Sequence, residues 1–326
     1  MKRAHFIALG VATLLAAHLP IAQAQVAKYP DKPIRIVVGF GAGGFTDVLA
    51  RTIGQKLSVT LGQPVIVENK PGATGTIGAD MVAKSKPDGY TLLLAHFASN
   101  SVAPALYPRL PYDVVKDFTP LVRLASTPVL LTVNSAFPAS NVAGFVEQAR
   151  KKPGELSYAS SGNGTAQHLA AAQFSQVSGI KMVHVPYKGS SAAMTDLLGG
   201  QVNLNFDSPP NVLPHYKAGK LKALAITSLV RSPLFPNVPT LHESGFPNFE
   251  MSQWFAIMGP ANLPKDVAER LNTEINAILK DPEVVEKIAS QGGEIIGGSI
   301  PQFSAFLKQD VDKWAKLVKD ADIKLE

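Results

Sequence analysis

The 326-residue sequence has no cysteine. That excludes disulfides, a lipid-bearing cysteine and thiolate metal ligation. Past its first two dozen residues it has no apolar run long enough to span a bilayer. Its 31 basic and 25 acidic residues leave a formal charge of +6, but no run of Lys or Arg occurs. The basic residues are not interleaved with aromatics, which make up 7% of the chain, so a nucleic-acid partner is not expected. Low-complexity stretches are missing too, as in an ordinary globular protein. Catalytic signatures are scarce. There is no G-x-S-x-G elbow and no H-E-x-x-H, and the 7 histidines are scattered. Ser178 and Lys181 fit S-x-x-K, without the S-D-N or K-T-G that a serine hydrolase of that kind needs. No metal, no cofactor and no catalytic residue is expected.

What is present begins with "MKRAHFIALGVATLLAAHLPIAQAQ". A basic start, an apolar stretch and Ala22-Gln23-Ala24 follow the plan of a secretory signal peptide over residues 1–24, cleaved after Ala24. The alternative, a membrane anchor, is opposed by His18 and Pro20, which break a short apolar core. Cleavage leaves 326 − 24 = 302 residues with a charge of 6 − 2 = +4, enough chain for about two domains. Export from the cytoplasm is therefore expected, and the mild positive balance slightly favours an anionic small ligand.

Strand and helix signals alternate, which predicts α/β architecture. Residues 34–38, 65–68 and 90–95 read as buried strands, with a helix carrying Leu49, Ile53 and Leu57 on one face between the first two. The segment "TPLVRLASTPVLLTV", residues 119–133, has Pro128 in its middle. It reads as an edge strand, or as two strands meeting at a bend where the chain crosses into a second domain. There the spacing predicts helices over 141–151, 165–177 and 190–198, and strands over 156–160, 182–185, 202–206 and 221–226. A Pro-rich loop follows, then a returning strand over 251–260, helices over about 264–290, a short strand near Ile295 and a closing helix from Pro301. One domain would then be built from residues 25–124 and 251–326, the other from 125–250. Two linker strands make a hinge between them. A single doubly wound sheet is the alternative.

"IRIVVGFGAGGFTDVLAR" places Gly39, Gly41 and Gly44 in the dinucleotide pattern G-x-G-x-x-G, with Glu68 at 68 − 44 = 24 residues beyond. An NAD-dependent oxidoreductase is therefore the enzymatic alternative. Against it, Asp47 in the first helical turn would repel a pyrophosphate, and the glycine-rich strand-to-helix loop recurs in "ENKPGATGTIGAD" and "SYASSGNGTAQHL". Several such loops read better as a cleft lined by helix N-termini, whose free N–H groups and partial positive charge suit a carboxylate. If residues 39–46 and 160–165 face each other across the hinge, a ligand with two carboxylates would bridge them, and substituting Thr46 and Thr165 would weaken it.

"PIRIVVGFGAGGFTDVLAR", "PVIVENKPGATGTIGAD", "PDGYTLLLAH", "YASSGNGTAQHLA", "VPYKG", "FD" at 206–207 and "PTLHESGFP" occur in an order that resembles the substrate-binding proteins of tripartite tricarboxylate transporters, also called Bug proteins. The resemblance covers essentially the whole chain after the leader. It implies a two-lobed periplasmic binding protein of type II-like fold, each lobe a mixed sheet flanked by helices and joined by two hinge strands. It also implies no catalysis, and delivery of a small carboxylate to the membrane permease subunits of an ion-driven transporter. A monomer is expected, since the hinge must open and close.

Carried over by position, the resemblance implies a first-lobe cradle of Phe40, Gly41, Ala42, Gly43, Gly44, Phe45, Thr46 and Asp47, acting through backbone N–H groups and ordered water. Thr74, Gly75 and Thr76, with His96, Phe97 and Ser99, resemble neighbouring loops of that lobe. Ser160, Ser161, Gly162, Asn163, Gly164 and Thr165, with His168, resemble the second-lobe cradle. Lys188 and Asp207 match positions near the cleft. Read as residues, Asp47 suits a structural role at the helix N-terminus beside Arg51. His168, in a first helical turn, is expected neutral and donating to ligand or backbone. Lys188 would pair a carboxylate or stay solvated. Asp207 would accept from a ligand hydroxyl or ammonium, or tie down a loop. Trp254 and Phe255 read as core near the hinge. Phe45 and Phe97 beside the cradle would favour an aromatic acid, an expectation that fails if both rings point into the cores.

Overall fold

The computed structural model describes residues 29–187 and 189–324; the proposed signal peptide and Lys188 lie outside the described residues. The chain opens with β1 (Ile34–Val38), α1 (Phe45–Leu61), β2 (Val65–Asn69), α2 (Thr76–Ala83) and β3 (Thr91–His96). A π-helical turn, Ala98–Val102, leads into the short α3 (Ala103–Leu106). Then come β4 (Phe118–Pro128), β5 (Leu130–Asn134), α4 (Val142–Lys151), β6 (Ser157–Ser160) and α5 (Ala166–Ser178). They are followed by β7 (Val183–Pro186), α6 (Ser190–Leu198), β8 (Leu204–Asp207), α7 (Pro209–Lys217) and β9 (Leu221–Ile226). The chain closes with β10 (Ser252–Pro260), α8 (Lys265–Ile278), α9 (Pro282–Ala289), β11 (Glu294–Gly297) and α10 (Ile300–Asp320).

The local chemistry accounts for these limits. Asn141 caps α4 by accepting from the Gly144 N–H, and Ser299 with Gln302 forms a reciprocal capping box on α10. Gly62 and Gly179 end α1 and α5 in the left-handed region, at φ 69° and 67°, where glycine carries no Cβ penalty. Leu49, Ile53 and Leu57 on α1 are almost fully buried, as their 4-residue spacing predicts. Each such leucine contributes on the order of 2 kcal/mol by leaving water.

Two mixed sheets result. The first has the order β11-β4-β10-β3-β1-β2, and the second β7-β6-β8-β5-β9. In the first, β2 and β3 flank β1 in parallel while β10 runs antiparallel to both β3 and β4. In the second, β6 is parallel to β7 and β8, and β5 is antiparallel to β8 and β9. The single-sheet alternative is thereby corrected. So is the edge-strand reading of residues 119–133: β4 and β5 lie inside different sheets, with Pro128 at the end of β4 where the chain passes between them. Two helices went unread in the sequence, α3 and α7. The second starts on Pro209-Pro210, which the first helical turn tolerates because its N–H groups have no intrahelical acceptor.

The lobes share apolar packing. One cluster joins Val37, Leu93 and Phe97 of the first lobe to Phe174 and Phe206 of the second, with Trp314 of α10 among its members. The two crossings, at Val129 and at Met251, are tied together by Thr227. Its hydroxyl accepts from the Val129 N–H at 2.9 Å and donates to the Met251 carbonyl at 2.5 Å.

Candidate functional site

The carboxyl ends of β3, β6 and β8 meet where the lobes face each other, the place where open α/β sheets bind ligands. They enclose a cavity of about 250 Å³. Phe40, Thr74, His96, Phe97 and Ala98 line it from the first lobe, with Val129 and Gln253 from the crossing strands. Ser161, Thr165, Ala166, Gln167, Ser190, Asp207 and Ser208 line it from the second lobe. A groove of about 760 Å³ is larger, but it lies between α4, α5 and the 244–249 loop, away from the strand ends, and Glu147 and Lys151 on its wall already pair at 2.7 Å. The smaller cavity is the candidate site, because strand ends and helix N-termini converge on it.

Three helices of the second lobe begin at the cavity. Thr165 is the N-cap of α5, Ser190 is the first residue of α6, and Ser208 is the N-cap of α7. Their first N–H groups have no intrahelical acceptor, and each N-terminus carries about half a positive charge. Gln167 locks this rim. Its Oε1 accepts from the Ser161 N–H, and its Nε2 donates to Ser190 Oγ at 2.8 Å and Asp207 Oδ1 at 2.9 Å. Asp207 is fully buried, and Oδ1 also accepts from the Ser208 N–H at 2.7 Å and Asn211 at 3.0 Å. Burial pushes its pKa up, against those hydrogen bonds. Asp207 thus ties the rim together. Among the described residues lining the cavity there is no Lys or Arg. No cluster of described residues is placed to hold a metal ion.

The sequence-predicted residues divide. Phe40, Thr74, His96, Phe97, Ser161, Thr165 and Asp207 line the cavity. Gly41, Ala42, Gly43 and Gly44 are exposed and lie outside its lining. Thr46 and Asp47 are buried within α1. Asp47 accepts from the Gly43 N–H at 3.0 Å, from Arg51 at 3.0 Å and from Asn69 at 2.9 Å. Burial opposes its charge, but those bonds outweigh it and hold the carboxyl at about 2. Gly75, Thr76 and Ser99 stand behind the lining; Thr76 Oγ1 donates to Ala73 O at 2.9 Å and Ser99 Oγ to His96 O at 3.1 Å. Ser160 is buried against His184 Nε2 at 2.6 Å, while Gly162, Asn163 and Gly164 form the turn before α5.

Two expectations are corrected. His168 does not donate to backbone through Nδ1; that atom accepts from the Gly164 N–H at 3.2 Å, and the ring stacks on His184 at 3.9 Å. Burial first, then His184, lowers its pKa to about 3, so the ring is neutral. The aromatic pair does not act together on the cavity. Phe45 stands edge-on to Phe255 at 4.8 Å beside the first-lobe core, and Phe97, though part of the cavity wall, packs against Trp314 at 6.0 Å with 1% exposure. Trp254 is core, donating to Asp310 at 2.7 Å.

The opening glycine has a packing explanation. A Cβ on Gly39 would stand 2.6 Å from Gly75 O and 2.8 Å from Gly75 Cα, so two backbones touch there. Glu68, the candidate ribose acid, pairs with Arg35 at 3.2 Å and Lys70 at 2.6 Å. Residues missed in the sequence, Gln167, Ser190, Ser208 and Gln253, carry no motif of their own. Gln167 lies inside the quoted "YASSGNGTAQHLA", and Ser190 and Ser208 directly follow "VPYKG" and "FD", each at a helix start, which was the available signal.

The model for the tripartite tricarboxylate transporter family receptor matches residues 49–323. The Bordetella pertussis protein BugT is 39% identical over 299 residues, 91% of this chain and 92% of that one. Among solved structures, R. palustris Rpa4515 with adipate is 34% identical with a TM-score of 0.79, covering 91% of this chain and all (100%) of that one. MatC from Rhodopseudomonas palustris with bound malate is 31% identical with a TM-score of 0.74, covering 89% and 100%. With the fold, the cavity and these likenesses together, the chain belongs to the tripartite tricarboxylate transporter receptor family and is a solute-binding protein of the Bug type.

Proposed function

We propose that the protein captures a small dicarboxylate in the inter-lobe cavity, in the periplasm, and presents it as a monomer to the membrane permease subunits of a tripartite transporter. In this reading the first lobe keeps residues 125–128, which the sequence had assigned to the second, because they pair with β10 in the first sheet; the second lobe then spans about 129–250. The observation that carries the reading is the convergence of the α5, α6 and α7 N-termini on one cavity whose described lining has no Lys or Arg. Backbone N–H groups and helix ends are then the anion-binding elements. The adipate and malate held by the two R. palustris proteins are dicarboxylates of a size that suits about 250 Å³. The sequence-predicted cradle residues off the cavity wall, residues 41–47 and 162–164, act by shaping the loops.

Thermal unfolding of residues 25–326 with malate, adipate, benzoate and NAD tests this. A ligand bound only by the folded state raises the melting temperature by mass action. The reading expects a rise with a dicarboxylate and none with NAD. A rise with NAD alone would return the 39–44 loop to a dinucleotide role and overturn it.

A further inference from the structure

We propose that Gln253 contacts the ligand through its side-chain NH2 group, and that His96 is the positioning residue that turns that end of the amide into the cavity. The proposal rests on the carboxylate reading above. Gln253 and Phe255 point to the same face of β10, and Phe255 pairs directly opposite His96 of β3. Gln253 is therefore the diagonal neighbour of His96, and both side chains line the cavity.

Phe40, Phe97 and Phe255 enclose the His96 ring at 4.8, 5.0 and 4.9 Å between centroids, and the residue is 6% exposed. Nδ1 accepts from the Ala98 N–H at 3.3 Å. Burial lowers the ring's pKa to about 3, a shift that the Gln253 hydrogen bond opposes without reversing. A neutral imidazole that accepts at Nδ1 carries its proton at Nε2 and can only donate there. The hydrogen bond between His96 and Gln253 must then end on the amide oxygen. The oxygen being taken, the NH2 end is the one left for the cavity. A free glutamine could rotate its amide and present an oxygen, which repels a carboxylate.

The other glutamine of the cavity cannot do this. Gln167 spends its oxygen on Ser161 and both amide hydrogens on Ser190 and Asp207. Among the described lining residues Gln253 is thus the side-chain amide whose NH2 end is uncommitted, at the start of β10 just past the Met251 crossing.

The test uses residues 25–326 with malate and adipate as probes. Gln253→Glu keeps an oxygen for His96 and replaces the NH2 by a second oxygen. Its affinity for both probes is expected to fall about tenfold or more, since a charge-assisted hydrogen bond is lost and a like charge takes its place. His96→Phe leaves a ring of similar size without the Nε2 donor and weakens binding several-fold. In 15N spectra of the wild type, the Gln253 NH2 pair, assigned by through-bond correlation to its own backbone, is expected to move when malate is added; a purely structural glutamine would not show this, and it needs no folded variant. Wild-type affinity in Gln253→Glu, or an unmoved NH2 pair in malate-saturated protein, overturns the proposal. A wild type that binds neither probe overturns the carboxylate reading, and this inference with it.

Discussion

Thr227 is fully buried and its hydroxyl donates to Met251 O at 2.5 Å while accepting from Val129, so one side chain ties both strand crossings. Thr227→Val keeps the shape and removes the hydroxyl, leaving a buried N–H and a buried carbonyl with one partner fewer. A loss of about 1–3 kcal/mol in urea unfolding is expected, with most of it restored by Thr227→Ser. Equal stability of all three proteins would show that the crossings do not depend on this residue.

The lobes also touch across the cleft. A methyl group on Gly292, at φ 72°, would overlap Pro209 at the start of α7, and one on Gly164 would overlap Leu106. Gly179 is the control, at φ 67° with nothing near it. Gly292→Ala and Gly179→Ala should each lose about 1–2 kcal/mol from left-handed strain. Only Gly292→Ala should also lose carboxylate affinity, because it separates surfaces of the two lobes that meet beside the α7 start. Calorimetric titration with malate distinguishes them; identical affinity in the two variants contradicts a role for this inter-lobe contact in binding.

Acid should destabilise the protein through its buried histidines. His96 and His168 stay neutral down to about 3, while in the unfolded chain they protonate below about 6.5. The stability they contribute is complete above 6.5 and is lost as pH falls toward 3, at up to about 1.4 kcal/mol per pH unit for each ring. Asp47, held at about 2, adds a loss in the same direction below about pH 4. Asp207, with a raised pKa, acts in the opposite sense. Urea midpoints of wild type and His168→Gln between pH 7 and 5 check the sign: the variant's decline should be shallower, and parallel declines contradict it.

Gly39 meets Gly75 backbone to backbone, so Gly39→Ala forces two loops apart. Overpacking of this kind costs about 1–3 kcal/mol. The melting temperature should fall in buffer and NAD should protect neither protein. Protection of the wild type by NAD, lost in Gly39→Ala, would restore the dinucleotide reading.

Much of this molecule was legible in its sequence, and the limits are instructive. The Leu49, Ile53 and Leu57 spacing placed the buried face of α1, and residues 221–226 read correctly as β9. Pro128 marked the passage between sheets because proline interrupts a ladder. α7 was missed since Pro214 sits inside it and the Ser208-Pro209-Pro210 start reads equally as a loop, although tertiary packing of Val212 carries the helix. The glycines at 41, 43 and 44 announced backbone freedom, but freedom does not say what the loop faces, and it faces solvent. Gln253 was invisible for a related reason, and Gln167 was quoted within its motif without being singled out: a cavity is made by strand ends and helix starts far apart in sequence, and no local pattern encodes their meeting.

The most direct measurement is a crystal structure of residues 25–326 with malate or adipate. The account predicts a carboxylate in the inter-lobe cavity, its oxygens about 2.7–3.2 Å from backbone N–H groups at the starts of α5, α6 or α7. A ligand seated in the groove over α4 and α5, or carboxylates turned away from those helix starts, would contradict it.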